Sequence, residues 1–217
     1  MNVKLISYSQ PPAGSELSDD LLQMVAYCAR VSNPGNQINE ATSEKLVKYL
    51  IKHQHWSPLE MVSACLEIDT TRDIGRQLLR HRSFSFQEFS QRYADPTKDM
   101  SFVRRGARLQ DPKNRQNSID AASQVVQDLW DIKQQEVINK AREVYEWAIK
   151  EGIAKEQARS VLPEGNTMSR LYVNGTLRSW IHYIQLRAEN GTQQEHMDIA
   201  KAVGKVIYEI FPLDDII

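Results

Sequence analysis

Two cysteines, Cys28 and Cys65, are all that the 217 residues contain. Neither stands in a CxxC pair, so a disulfide scaffold and a cysteine-held zinc site are both excluded, and a reducing compartment is expected. No apolar run approaches the roughly 18 residues that a membrane-spanning helix requires. The opening segment from Met1 to Ser15 is short and broken by Pro11 and Pro12, which argues against a secretory signal. Together these absences predict an intracellular, cytoplasmic chain. An excess of one charge is lacking too: 27 basic residues face 28 acidic ones, for a net charge of −1. A general basic coat for nucleic acid is therefore disfavoured, and only a local patch remains open. The chain has no GxGxxG turn and no GxxxxGK[ST] loop, so Rossmann and P-loop nucleotide sites lack their support. Internal repeats, low-complexity tracts and linker-like stretches are also missing.

The composition that is present is that of an ordinary globular protein, 41% hydrophobic and 25% charged. A chain of this size buries about 70% of its extended surface, ample for a core without staples. Residues 3–8 read as a short strand closed by the Pro-Pro-Ala-Gly turn. Ser18 is the expected N-cap of a helix to about Val31, and a second helix spans about 43–53. Val62, Ala64, Leu66 and Ile68 alternate with polar residues, the mark of a half-buried strand. Residues 72–81 read as a short helix, and 94–118, polar and broken by Pro96, Gly106 and Pro112, as a long and mobile loop. The longest helical pattern runs from about Ile119 to Glu151, with Val125, Val126, Leu129, Val137, Ile138, Ala141, Val144, Tyr145 and Ala148 inward. A short helix over 154–161, a strand over 167–173 and helices over 176–189 and 192–211 complete the pattern. The fold class expected is α+β: one domain over 1–217, helix-rich, with a small and mostly antiparallel sheet.

Chemistry concentrates between Arg72 and Tyr93, where Arg72, Arg76, Arg80, Arg82, Arg92 and His81 face only Asp73 and Glu88. Guanidinium is a planar donor fork suited to phosphate oxygens. If 86–93 is extended, Glu88, Ser90 and Arg92 share one face, offering an acceptor, a hydroxyl and a cation to a nucleotide. The bland reading is a solvated charged face whose ion pairs contribute little. Other features read blandly as well. His53 and His55 lack a third ligand, so no metal is expected. Arg104, Arg105 and Arg108 suit a solvated loop, and His196 a surface position without a partner. Trp130, Tyr145 and Trp147 suit a core or a subunit interface. Cys28 and Cys65 suit packing thiols, since neither has a basic neighbour.

The segment Arg80-His81-Arg82-x-x-Ser85-x-Gln87-Glu88-x-Ser90-x-Arg92-Tyr93 resembles the signature RHRxxSxxxxSxR of the flavin-dependent thymidylate synthases. His55-x-Ser57-Pro58-x-Glu60 is similar to an upstream element of that family, and Ala158-Arg159-x-Val161-Leu162-Pro163 to a downstream one. The Arg178–Arg187 stretch with Gln194-Glu195 resembles its C-terminal binding segment. The chain departs from the family pattern at Met61, Gln87, His182 and Gly191. The resemblance implies a methyltransferase that converts dUMP to dTMP with methylenetetrahydrofolate as one-carbon donor, FAD as hydride carrier and NADPH as reductant. It also implies a homotetramer with sites between subunits, and no enzyme cysteine nucleophile.

By the same resemblance, dUMP is held by Gln77, Leu78, Leu79, Arg80, Glu88, Phe89, Ser90, Gln91, Arg92, Arg159 and Arg187. FAD is held by Ser57, Arg80, His81, Arg82, Glu88, Arg178 and His182. Arg187 is the expected catalytic residue, a fixed cation at the uracil edge. Ser90 is expected to hydrogen-bond dUMP, because a nucleophilic serine needs an adjacent base. On a helix, Arg178 and His182 share a face while Arg187 lies opposite Arg178, so one helix is expected to address both ligands. The competing expectation is a non-catalytic module that holds RNA or another phosphate ligand with the 72–92 arginines. Near-neutral charge and the lack of an RRM or KH signature count against it.

Overall fold

The computed structural model describes residues 1–17 and 20–213. In chain order the elements are β1 (Asn2–Tyr8), α1 (Leu21–Ala29), α2 (Ser43–Lys52), β2 (Ser63–Thr71), α3 (Arg72–Leu78), β3 (Ser85–Glu88) and α4 (Pro96–Asp99). They continue with β4 (Leu109–Gln110), β5 (Ser118–Ile119), α5 (Gln124–Lys150), α6 (Lys155–Ala158), β6 (Met168–Thr176), α7 (Leu177–Arg187) and α8 (Gln194–Ile210). The expected cap Ser18 lies outside the described residues. Asp20 caps α1 instead, its side chain accepting from the Leu22 N–H at 2.8 Å.

Four strands pair in the order β1-β2-β6-β3, every pair antiparallel, which makes the architecture α+β as expected. The alternation read from 62–68 is realised: Val62, Ala64, Leu66 and Ile68 are buried, as are Leu171 and Val173 on β6. They meet apolar residues of α1, α2, α3, α7 and α8 in one continuous core. On the opposite face Arg170 pairs with Asp69 directly across the ladder, at 2.7 and 2.8 Å, and the Tyr172 hydroxyl donates to Glu67. The register is thereby pinned on both sides.

At the end of β6, Gly175 lets an aromatic ring approach the backbone. A Cβ there would lie 2.3 Å from Cδ1 of Phe84, whose ring packs on Trp180 with centroids 4.4 Å apart. Gly175→Ala is expected to destabilise by about 2 kcal/mol through overpacking. In a chain of this length that lowers Tm by roughly 4–8 °C. An unchanged thermal melt would mean that Phe84 swings aside freely.

Three expectations need correction. The 94–118 segment is not a free loop: it carries α4 and the β4–β5 hairpin, and Arg105 anchors it to Asp73 at 2.7 and 2.9 Å and to Thr71 at 2.7 Å. Two glutamines of α5 clamp its backbone from the other side. Gln134 bonds the N–H and C=O of Arg105, and Gln127 those of Ala107. Second, α5 starts at Gln124, capped by Ser123, and only Ile138, Ala141, Tyr145 and Ala148 of its expected inward face are buried. Val144 is half-buried, while Val125, Val126, Leu129 and Val137 are exposed together with Trp130, Ile132 and Trp147. The first half of the helix meets the 94–118 segment through Gln127, Gln134 and the Arg104–Asp131 pair, and the periodicity marks an apolar face that the described residues leave uncovered. Third, the strand expected over 86–93 stops at Glu88. The N–H groups of Tyr93 and Ala94 both turn back to the Ser90 carbonyl, so Ser90 and Arg92 do not continue the face of Glu88.

The Arg105–Asp73 contact carries a pH dependence. Burial alone raises the Asp73 carboxyl, but the bonds from Arg105 and Thr71 outweigh it and hold the pKa below the ordinary value. The pair's contribution is therefore complete above about pH 4 and is lost as pH falls through the depressed folded value. Thermal melts are expected to show Asp73→Asn lowering Tm at pH 7, with the gap to wild type closing in stronger acid. A gap that persists at pH 2 would contradict this assignment.

Candidate active site

The short helix α3 separates two groups of chemistry-bearing side chains. Arg72 and Arg76, at i and i+4, share one face; Gln77 is turned by about 100° from Arg76. On the first side a cavity of about 340 Å³ is lined by Arg72, Arg76, Gln91, Arg159, Ser160 and Glu164, with Leu162 and Glu156 at its wall. Arg72 is buried, and burial first, with the neighbouring cations Arg76 and Arg159, draws its pKa down against the opposing Glu88. Glu88 accepts from Arg72 at 3.3 Å and from the Ser169 hydroxyl at 3.1 Å. Arg92, redirected by the turn after Phe89, pairs with Glu156 at 3.2 Å. Gln91 is buried, and its Nε2 has no partner among the described residues. A buried donor without an acceptor is costly, and Gln91 is the residue of this lining that bears that cost.

On the second side a cleft of about 590 Å³ is lined by Arg80, His81, Arg82, Ser83 and the α7 residues Ser179, His182, Tyr183, Gln185 and Leu186, with Glu189 beyond them. Arg80 and Arg82 are exposed at its mouth. The turn over Ser57–Glu60 joins this cleft to α7: Trp56 packs edge-on against His182, with centroids 4.7 Å apart, and Glu60 pairs with Arg178. Through these two contacts the neighbours of Ser57, Trp56 and Glu60, bring its turn against His182 and Arg178 of α7. Arg187 donates from Nε to Nε2 of His81 at 3.1 Å. His81 lines the cleft and touches Arg187, so it spans the two faces of α7 that the helical angles separate.

Gln77 sits behind this cleft with both ends of its amide engaged, Nε2 on Gln193 at 2.8 Å and Oε1 on Nδ1 of His196 at 3.0 Å. The line continues to Glu195, which accepts from Gln193 and Arg108. His196, expected at the surface, is fully buried and partnered, because the α8 N-terminus packs against α3. Arg108, expected in a solvated loop, is likewise committed. A carboxylate only accepts, so the whole line donates toward Glu195 and His196 carries its proton on Nδ1. Burial chiefly, then Arg187 and His81, pushes His196 down to about 4. Glu195 falls too: its burial acts upward, but the bonds from Arg108 and Gln193 prevail.

The expected nucleotide residues therefore divide. Gln91 and Arg159 line the first cavity, Glu88 and Arg92 pair with residues of its wall, and Phe89 and Ser90 lie between them in sequence. Arg80 lines the cleft, Arg187 bonds its His81, and Gln77 bonds His196 beside that ring. The Leu78 side chain is in the core and Leu79 packs against it, so both offer backbone alone. Arg72 and Arg76 are residues that the sequence placed in the arginine cluster without assigning them to the site. Arg80, Arg82, Arg159 and Arg187 have no carboxylate oxygen within 4.0 Å among the described residues, whereas Arg72, Arg76, Arg92, Arg105 and Arg178 do. Neither thiol is activated: burial raises the pKa of both Cys28 and Cys65. The Ser90 hydroxyl accepts from the Arg92 N–H, and no histidine bonds it among the described residues.

Comparison with known proteins points the same way. Residues 16–213 match the family described as thymidylate synthase complementing protein. The chain is 47% identical over 213 residues to a probable flavin-dependent thymidylate synthase of Paramecium bursaria Chlorella virus 1, covering 98% of this chain and 96% of that one. It is 46% identical over 215 residues, with the same coverage, to the flavin-dependent thymidylate synthase of Synechocystis sp.. The crystal structure of a UMP/dUMP methylase, PolB, from Streptomyces cacaoi bound with 5-Br dUMP superposes with a TM-score of 0.80 at 26% identity. That match covers 97% of this chain and 91% of PolB.

Proposed function

Since the chain belongs to the flavin-dependent thymidylate synthase family, we propose that it converts dUMP to dTMP with methylenetetrahydrofolate as carbon donor and NADPH as reductant. Methyl transfer by an enzyme of this family replaces the reading as a passive phosphate or RNA module. The observation that supports the assignment best is the set of guanidiniums left without carboxylates among the described residues, at Arg80, Arg82, Arg159 and Arg187. Free cations around concave polar surfaces are what a dinucleotide and a mononucleotide require.

The cleft fits FAD on its own chemistry. Its mouth offers Arg80 and Arg82 to a pyrophosphate, and its wall offers the flat edge of His182 backed by Trp56, with Ser57 and Arg178 alongside. When bound, reduced flavin supplies the hydride that turns the transferred one-carbon unit into a methyl group. The chain's own residues then do the rest. Arg159 binds the phosphate of dUMP with Gln91 beside it in the same lining, and Ser90 and Arg92, the latter paired with Glu156 of that lining, take its sugar and phosphate edge. Arg187 faces N3 and O4 of uracil and stabilises the negative charge that develops there. Ser90, without a base, serves as a hydrogen-bond partner, and no cysteine acts as nucleophile.

The division of the nucleotide residues between two sides of α3 accords with sites completed by a second subunit. The uncovered face of α5, with Val125, Leu129, Trp130, Val137 and Trp147 exposed, suits the interface of a homotetramer. The purified protein is expected to bind FAD with a flavin absorbance band and to oxidise NADPH faster once dUMP is added. A colourless protein that takes up no flavin would refute the assignment.

A further inference from the structure

We propose that His81 is the positioning residue of Arg187: its uncharged ring accepts the Arg187 Nε–H and sets the plane of the guanidinium presented to the nucleotide. This rests on the reading of Arg187 as the group at the uracil edge. The bond is 3.1 Å long and runs between residues 106 positions apart. Nε of arginine carries a hydrogen and has no accepting lone pair, so Nε2 of His81 must supply the lone pair and the ring proton must sit on Nδ1. An imidazolium has no lone pair to give. Protonating His81 would therefore break the bond and set two cations against each other.

The ring is held for this task. Tyr183 stands nearly perpendicular to it, at 86° with centroids 5.1 Å apart, and His196 and Phe84 close two further sides. The charged and titratable groups facing His81 are Arg80 from its own turn, Arg187 and Tyr183 from α7, and His196 from α8; Arg82, His182 and Glu189 line the same cleft. None of these is a carboxylate within ion-pair distance among the described residues, so nothing steadies a protonated ring. Burial, then Arg187 and Arg80, hold His81 below the ordinary histidine value. Burial first, then Arg187 and His81, hold His196 down to about 4, so it adds no charge near neutral pH. A guanidinium tied at Nε keeps both terminal nitrogens for a planar acceptor and loses the freedom to turn away.

The test compares full-length, flavin-loaded wild type with His81→Gln and His81→Ala, with rates normalised to bound flavin because His81 also borders the cleft. Turnover, the dUMP KM and flavin content are measured from pH 5 to 9. Wild-type kcat is expected to fall on an acid limb below the ordinary histidine pKa of about 6.5. His81→Gln, whose amide oxygen accepts a hydrogen bond but does not titrate, should stay within about tenfold of wild type and lose that limb. His81→Ala should lose about 10–100-fold in kcat with a smaller change in KM, the scale of a mispositioned catalytic group. An acid limb that persists in His81→Gln overturns the proposal. So does a His81→Ala enzyme that merely loses flavin while each bound flavin turns over normally. Arg187→Ala separates the two readings: if it is fully active the role of Arg187 falls, whereas if it alone is inactive only the role of His81 falls.

Discussion

Arg187→Ala is expected to cut dTMP formation by about 10²–10³-fold while the protein keeps its flavin, which corresponds to the loss of one fixed donor at a developing oxyanion. The size of the effect follows from the surroundings of the side chain. Arg187 is half-buried, has no carboxylate within ion-pair distance among the described residues and donates its Nε–H to His81, which leaves its terminal nitrogens for the ligand proposed above. Because the interaction strengthens as charge builds on the pyrimidine, kcat should fall more than dUMP affinity. Arg187→Lys should recover only part of the rate, since an ammonium lacks the planar fork. Steady-state kinetics beside a flavin titration would decide it. Full activity in Arg187→Ala would remove Arg187 from the mechanism.

Arg82→Ala should act on the other ligand. Arg82 is exposed at the mouth of the cleft and has no carboxylate within ion-pair distance among the described residues, and on the proposed reading a charge-assisted bond of about 1.5–3 kcal/mol is lost with it. Flavin affinity is expected to drop about 10–100-fold. Turnover per bound flavin should be nearly unchanged at saturating FAD. Arg178→Ala should weaken flavin less, since Arg178 already shares its charge with Glu60. Equal losses for the two variants, or tight flavin binding by Arg82→Ala, would shift the phosphate-binding role away from the mouth of the cleft.

Much of this molecule can be read from its sequence, for identifiable reasons. The alternation of Val62 to Ile68 names a buried sheet face because the other side of β2 is charged. The fixed offsets from Arg80 to Arg92 name a site because no periodic element requires them. Other features depend on contacts that no local pattern encodes. The bond from Arg187 to His81, and the line from His196 through Gln77 to Glu195, join residues separated by roughly half the chain. Polar 94–118 looks free until Arg105 finds Asp73 and the glutamines of α5 clamp its backbone. The apolar stripe of α5 announces burial, but periodicity does not say whether its cover comes from this chain or another. The turn at Ser90, built from backbone bonds, diverts Arg92 toward Glu156 where strand periodicity would have continued it.

Methylation at C5 of uracil exchanges a ring hydrogen for a carbon, so dUMP tritiated at that position reports the chemistry itself. The purified protein, supplied with FAD, NADPH and methylenetetrahydrofolate, should release tritium to water in step with dTMP, and Arg187→Ala should release it far more slowly. Tritium that stays on the pyrimidine in the complete mixture, in protein that has taken up flavin and bound dUMP, would contradict the account.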